Sequence, residues 1–387
     1  MYLSNSSITL VITGLSLLGI SSVANAIGES LLVSPRQGWL IHDATYLEQP
    51  DWWPDILEWN GTGLNDDPSY RYGASMIRYA ENKLHYWSCS EGNADLDIAD
   101  YIRYRHSSNG GRTWSDDEIV LEPTIGTDDG WAVCDPNVVK IGSYFYMAYT
   151  ATNDSNNFGL NNQIFVARSL QATGPFIKWD GTGWSGNSAK AIIEYSGPRD
   201  RWGYGEPNMV VVDDVLYLYY TDGETSGKTR VATANADSTN WPNTLSQQGF
   251  AIPTRDDNED QTDIKYVPEL NLFIATAIGN RFTENSYVHV WWSNDGLSFQ
   301  AVNNDNIITN IQATAHNIAM SGNESGHIQM GSKEFIAYSY TGPDGQWGLW
   351  NTWLNPIEIS GAGWVPPDPP IDTMKFGPIL MLLLDEE

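Results

Sequence analysis

Apolar and polar positions alternate with a period of two along most of the chain. In 134–152, CDPNVVKIGSYFYMAYTAT, and in 205–223, GEPNMVVVDDVLYLYYTDG, a β-rich run, a short polar turn and a Tyr-rich run follow one another. This pattern predicts β-hairpins, because side chains alternate between the two faces of a strand. The two stretches align residue for residue, Asp135 over Glu206 and Pro136 over Pro207. Weaker copies occupy 72–90, 262–279 and 315–340, and a third strand follows each copy, as in DYIRYRHSSNGGRTW and SYVHVWWSNDGLSF. The openers are Gly73, Asp135, Glu206, Asp263 and His316, spaced 53 to 71 residues apart. Helical periodicity is almost absent. Repeated antiparallel units of this length predict an all-β fold, a β-propeller with one blade per repeat. Five repeats give a five-bladed β-propeller over residues 27–364, with 27–71 supplying a strand that closes the ring.

Two third strands end in a further pattern. Ser107-Ser108-Asn109-Gly110-Gly111-Arg112-Thr113-Trp114 and the shorter Ser293-Asn294-Asp295-Gly296-Leu297-Ser298-Phe299 resemble the Asp box of sialidase-type propellers. Asn or Asp and Ser side chains satisfy turn amides there and glycine takes a positive φ, so the motif speaks for fold and not for chemistry.

Both ends differ from the repeats. Residues 8–20, ITLVITGLSLLGI, followed by Ala24-Asn25-Ala26, predict a signal peptide over 1–26, although no Lys or Arg precedes the apolar run. A secreted or periplasmic protein follows. No other stretch has the ~18 apolar residues that span a bilayer. Residues 365–387 form a Pro-rich linker and a short apolar tail, read either as a docking element or as a strand packed on the domain. Export permits a disulfide between the two cysteines, Cys89 and Cys134, and two buried thiols fit as well. The 48 acidic against 20 basic residues, a net charge of −28, argue against nucleic acid and anionic membranes as partners. The sequence does not state an oligomeric state; a monomer is the expectation.

First strands line the channel of a propeller, so the openers converge there. Three carboxylates and a histidine on one wall are costly unless paired or used; capping of turn amides by Asp135 and Glu206 is the structural alternative. The acid–Pro openers and the His-Asn of the last repeat resemble the five-bladed glycoside hydrolases of family 43 and relatives. The resemblance implies that Glu206 is the general acid, its proton affinity raised by Asp135 and burial. Asp135 would stay ionised and orient that proton, and His316 would help hold a central calcium ion or water cluster. It also implies a carbohydrate substrate, a plant or algal polysaccharide or its oligosaccharides.

One departure matters. Gly73 stands where the family has its general base, an Asp on the first blade. An inverting enzyme needs a second carboxylate ~6.5–9.5 Å from the acid. Asp263 is the expected base, with Asp67 and Asp43 as alternatives. Trp131, Trp202 and Tyr204 precede acidic openers and are candidate sugar platforms. Arg71 and Tyr72 are candidates for a substrate carboxylate or sulfate. A non-catalytic carbohydrate-binding propeller and a polysaccharide lyase using Tyr72, His316 and Arg71 are the rival functions. No CxxC, HExxH, phosphate loop or GxSxG occurs.

Overall fold

The computed structural model describes residues 70–359 except 112, 156–158, 187, 226–227, 254–258, 260, 303–310 and 341–349, and, as backbone only, 32–33, 39–43 and 360–361. The signal segment, the C-terminal tail, Asp67 and the side chain of Asp43 lie outside the described residues. The fold is all-β, and among those residues helix is confined to 3₁₀ turns of three or four residues.

Strands β1 (Leu32–Val33) and β2 (Trp39–Asp43) come first in the chain. The first unit is β3 (Arg71–Ala80), β4 (Lys83–Glu91), β5 (Asp100–Ser107) and β6 (Glu118–Leu121). The second is β7 (Ala132–Ile141), β8 (Tyr144–Thr152), β9 (Gln163–Ser169) and β10 (Ile177–Lys178). The third is β11 (Tyr204–Val212), β12 (Val215–Asp222), β13 (Lys228–Asn235) and β14 (Ser246–Ile252). The fourth is β15 (Asp263–Val267), β16 (Leu272–Gly279), β17 (Tyr287–Ser293) and β18 (Gln300–Ala301). The last is β19 (Ala315–Met320), β20 (Lys333–Tyr340) and β21 (Asn351–Gly361), completed by β2 and β1.

Each unit is an antiparallel meander in sequence order; the first two share a sheet only through one parallel pair, Asp100 with Ala132. β2 pairs with β21 over Trp39–Gly361 to Asp43–Ile357, so the N-terminal segment supplies an outer strand to the last unit. Val, Ile, Tyr and Phe fill these strands because β-branched and aromatic side chains pack well on a pleated surface. A separate apolar core fills each contact between units: around Trp87 and Phe165, Trp241 and Met209, Tyr219 and Trp291, Ile274 and Ile318, and Tyr86 with Phe335 between last and first.

Two sets of hydrogen bonds join the first strands. Near the openers, Ser75 Oγ accepts from Val138 N (3.1 Å), Asn137 Oδ1 from Met209 N (2.8 Å), Asn208 Oδ1 from Ile264 N (3.1 Å) and Asp263 Oδ2 from Met320 N (2.8 Å). At the opposite ends, the segment 321–328 ties four strands. Gly322, Glu324, Ser325 and Gly326 carbonyls accept from Arg78, Lys140, Val211 and Tyr266 backbone N–H groups at 2.6–3.1 Å. Gly326 has φ +79°, and a Cβ there would sit 3.1 Å from Met209 O, so the close crossing requires glycine. With the far ends tied, the opener ends are left to form a cavity.

The Asp-box pattern at 107–114 makes the local bonds its residue types allow. Ser107 Oγ accepts from Gly111 N (2.9 Å) and Asn109 Oδ1 from Thr113 N (2.9 Å). Asp295 Oδ1 does the same for Leu297 and Ser298 at 2.8 and 3.0 Å.

Candidate active site

The same irregularity recurs in four first strands. Pairing to the second strand shifts between Tyr72 and Ser75, Cys134 and Asn137, Gly205 and Asn208, and His316 and Ile318. At each bulge one residue has positive φ: Gly73 (+58°), Asp135 (+44°), Glu206 (+53°) and Asn317 (+46°). Non-glycine residues there cost roughly 1 kcal/mol or more, and such strain gathers at functional sites. Pro136 and Pro207 follow because a bulge leaves one backbone N–H outside the ladder, which is where a strand tolerates proline.

The bulges open into a cavity of about 620 Å³ whose lining includes Asp100, Asp135, Glu206, Arg281, His316 and Asn317, with Tyr72, Trp131, Trp202, Phe282 and Trp350 as its aromatic surface. Of the sequence-derived candidates, Glu206, Asp135, Trp131, Trp202, Tyr72 and His316 therefore come together. Three do not. Asp263 is outside the lining: Lys265 Nζ donates to both its oxygens (2.7 and 2.8 Å), Asn208 Nδ2 to Oδ1 (2.6 Å) and Met320 N to Oδ2. It occupies the register of Asn137 and Asn208, two residues beyond a bulge, and joins strands. That corrects its expected role as the base. Tyr204 packs edge-on against Tyr195 and Tyr220 (5.3 and 5.4 Å between centroids), away from the cavity. Arg71 is buried and ion-paired to Asp117.

Glu206 is buried. Its backbone N–H donates to Thr150 Oγ1 (2.7 Å), and Asn317 Nδ2 donates to its Oε1 (3.4 Å). The Thr150 hydroxyl also bonds Asp135, which links the Asp135 carboxylate to the backbone of Glu206 through one side chain. Burial pushes Asp135 up to about 7, and the charge of Asp100 adds to the shift. Near neutral pH Asp135 is then only partly ionised, less than the full charge expected of it. Burial likewise raises Asp100 to about 6, against hydrogen bonds from Tyr70 and Tyr72 that favour its charge. His316 is held neutral, pushed well below its usual range by burial and by Arg281; its ring lies 4.7 Å from that of Phe282 and 5.1 Å from that of Trp350. The field of Arg281 also reaches Glu206.

The sequence did not single out Asp100 or Arg281. ADYIRY and GNRFTE carry no motif, and both residues reach the cavity from outside the first strands. Gly73 makes room there: a Cβ at 73 would sit 2.7 Å from Asp135 Oδ1. Cys89 and Cys134 are joined as a disulfide between β4 and β7, which settles the pairing. Their sulfurs lie near Asp100, and bonding to each other removes them as thiolate ligands.

The raised carboxylates predict a pH dependence of stability. Asp100 and Asp135 hold protons in the native state that the unfolded chain, with carboxylates near ~3.9, has released. Stability is therefore full below pH ~4 and falls as pH rises through about 6 to 7. Urea midpoints should drop between pH 4.5 and 8 in the wild type and drop less in Asp135→Asn. Parallel curves would remove Asp135 as the cause.

No protein-family model and no curated protein matches the chain. Solved structures do. An α-L-arabinofuranosidase from Podospora anserina, in complex with cellotriose, superposes with TM-score 0.57 at 12% identity, covering 79% of this chain and 95% of that one. A family 117 glycoside hydrolase from the marine bacterium Zobellia galactanivorans gives 0.56 at 13%, covering 88% and 94%. A thermostable family-43 glycoside hydrolase gives 0.53 at 15%, covering 77% and 95%. The fold is that of the glycoside hydrolases which the openers of the repeats resemble. At these identities the likeness is one of fold. Among the described residues no helix is long and apolar enough to cross a membrane.

Proposed function

We propose that the chain is an exported, monomeric glycoside hydrolase acting on a plant or algal polysaccharide or its oligosaccharides. The observation that carries the reading is the gathering of Asp100, Asp135 and Glu206 with Trp131, Trp202 and Trp350 around one cavity. The five units are then the blades of a closed propeller; a core between every neighbouring pair, the last and first included, supports this.

Glu206 donates its proton to the leaving glycosidic oxygen. Asp100 accepts a proton from the attacking water and replaces Asp263 in that role. Its pKa near 6 leaves it ionised at neutral pH, where a base must be, while the two tyrosine hydroxyls orient it. Asp135, through Thr150, sets the position of Glu206. A water-mediated displacement gives inversion at the anomeric carbon. Indole rings of Trp131 and Trp202 offer apolar faces to sugar C–H groups.

A screen of purified plant and algal polysaccharides tests the reading. New reducing ends, with the inverted anomer first by NMR, support it. Unsaturated products absorbing in the ultraviolet mean a lyase, and binding without products means a carbohydrate-binding module.

A central calcium ion belongs to the same proposal only in a water-mediated form. Calcium takes six to eight oxygen ligands. Among the described residues no three acid, Cys or His ligand atoms gather around His316, so direct ligation does not fit. Exhaustive chelation should lower the Tm if a hydrated ion sits there. An unchanged Tm and rate remove the ion.

A further inference from the structure

We infer an oxyanion seat in the seam between the first and last units, separate from the cavity, formed by Arg71, Arg103 and Arg105 with Ser90 and Ser339. Strand register sets these groups on facing surfaces. Arg71 pairs with Ser90 and Ser88 with Arg103, so both arginines, Arg105 and the two serines share one face of the first unit. That face meets β21: Tyr86 Oη and Thr352 Oγ1 are 2.9 Å apart, and Arg71 N donates to Trp350 O (2.9 Å). Ser339 pairs with Thr352 and looks into the same seam.

Both charge and hydrogen bonding are unbalanced there. One carboxylate, Asp117, binds Arg71 and Arg105. Arg103 is 9% exposed and Arg71 2%. Among the described residues, the Nε–H groups of Arg71 and Arg103 and the hydroxyls of Ser90 and Ser339 are buried without a hydrogen-bond partner. Burial and the charge of Arg71 oppose the charge on Arg103, and the fields of Asp117 and Glu91 favour it. Buried guanidinium groups are costly unless an anion or hydrogen bonds compensate, and unpartnered donors add to the cost. In a chain of net charge −28, a buried basic cluster with spare donors on both sides of the seam matches a sulfate, phosphate or carboxylate group.

Sodium sulfate, compared with sodium chloride at equal ionic strength, is the probe for the intact protein. Sulfate at ~100 times its dissociation constant should raise the Tm by about 3 °C beyond chloride. Arg103→Met should abolish that increment while melting no lower than wild type without sulfate, because it removes a desolvated charge. Ser90→Ala, a smaller change, should weaken sulfate binding about tenfold by calorimetry. Galactose 6-sulfate distinguishes the source. Competition at higher affinity assigns the seat to a sulfated saccharide, and binding of inorganic anion alone assigns it to a structural ion. No response beyond chloride, or a full response in Arg103→Met, overturns the inference.

Discussion

Glu206→Gln is expected to lower turnover of natural glycosides by a factor of ~10²–10⁴, the usual contribution of a general acid. The amide keeps the size of the side chain and can still meet Asn317 Nδ2, so fold and sugar binding should persist. The loss should depend on the leaving group. An aryl glycoside with an acidic phenol departs with little protonation and should be largely spared. Rates on both substrate types, with circular dichroism as a control for folding, make the measurement. Near-normal turnover of the natural substrate would end the glycosidase reading of this carboxylate.

Asp100→Asn should cost a similar factor of ~10²–10⁴ with the opposite selectivity. Activation of water is needed whatever the leaving group, so natural and activated substrates should suffer alike. The wild-type rate should rise with pH through about 6 as Asp100 loses its proton, and the variant should lack that limb. Removing the Asp100 charge also relieves Asp135, whose pKa should fall from about 7. A variant that keeps its rate and shifts only the Asp135 titration would leave Asp100 as a neighbour and not as the base.

The proposed base was hidden from the sequence for a physical reason. Asp263 is acidic, opens a β-rich run and lies at the repeat spacing, so it aligns with Asp135 and Glu206. Its true equivalents are Asn137 and Asn208, which also take the next strand's N–H. A slip of two residues leaves the alternation of a strand unchanged and cannot be seen in a period-two pattern. In the last unit the slip is one: His316 opens the repeat in sequence, and Asn317 carries the positive φ, yet both reach the cavity because the bulge turns the chain there.

The sequence by itself determined the all-β hairpin repeats, their five first strands and two acid–Pro–Asn openers that reach one cavity. These follow from local rules: side-chain alternation, turn residues, and proline after a bulge. Only the tertiary structure decided that Asp263 is tied up by Lys265, that Tyr204 and Arg71 face away, that Cys89 bonds Cys134, and that Asp100 and Arg281 enter the cavity. Each of these depends on which strands lie side by side, and residues dozens or hundreds apart in the chain settle that through packing that no local pattern records.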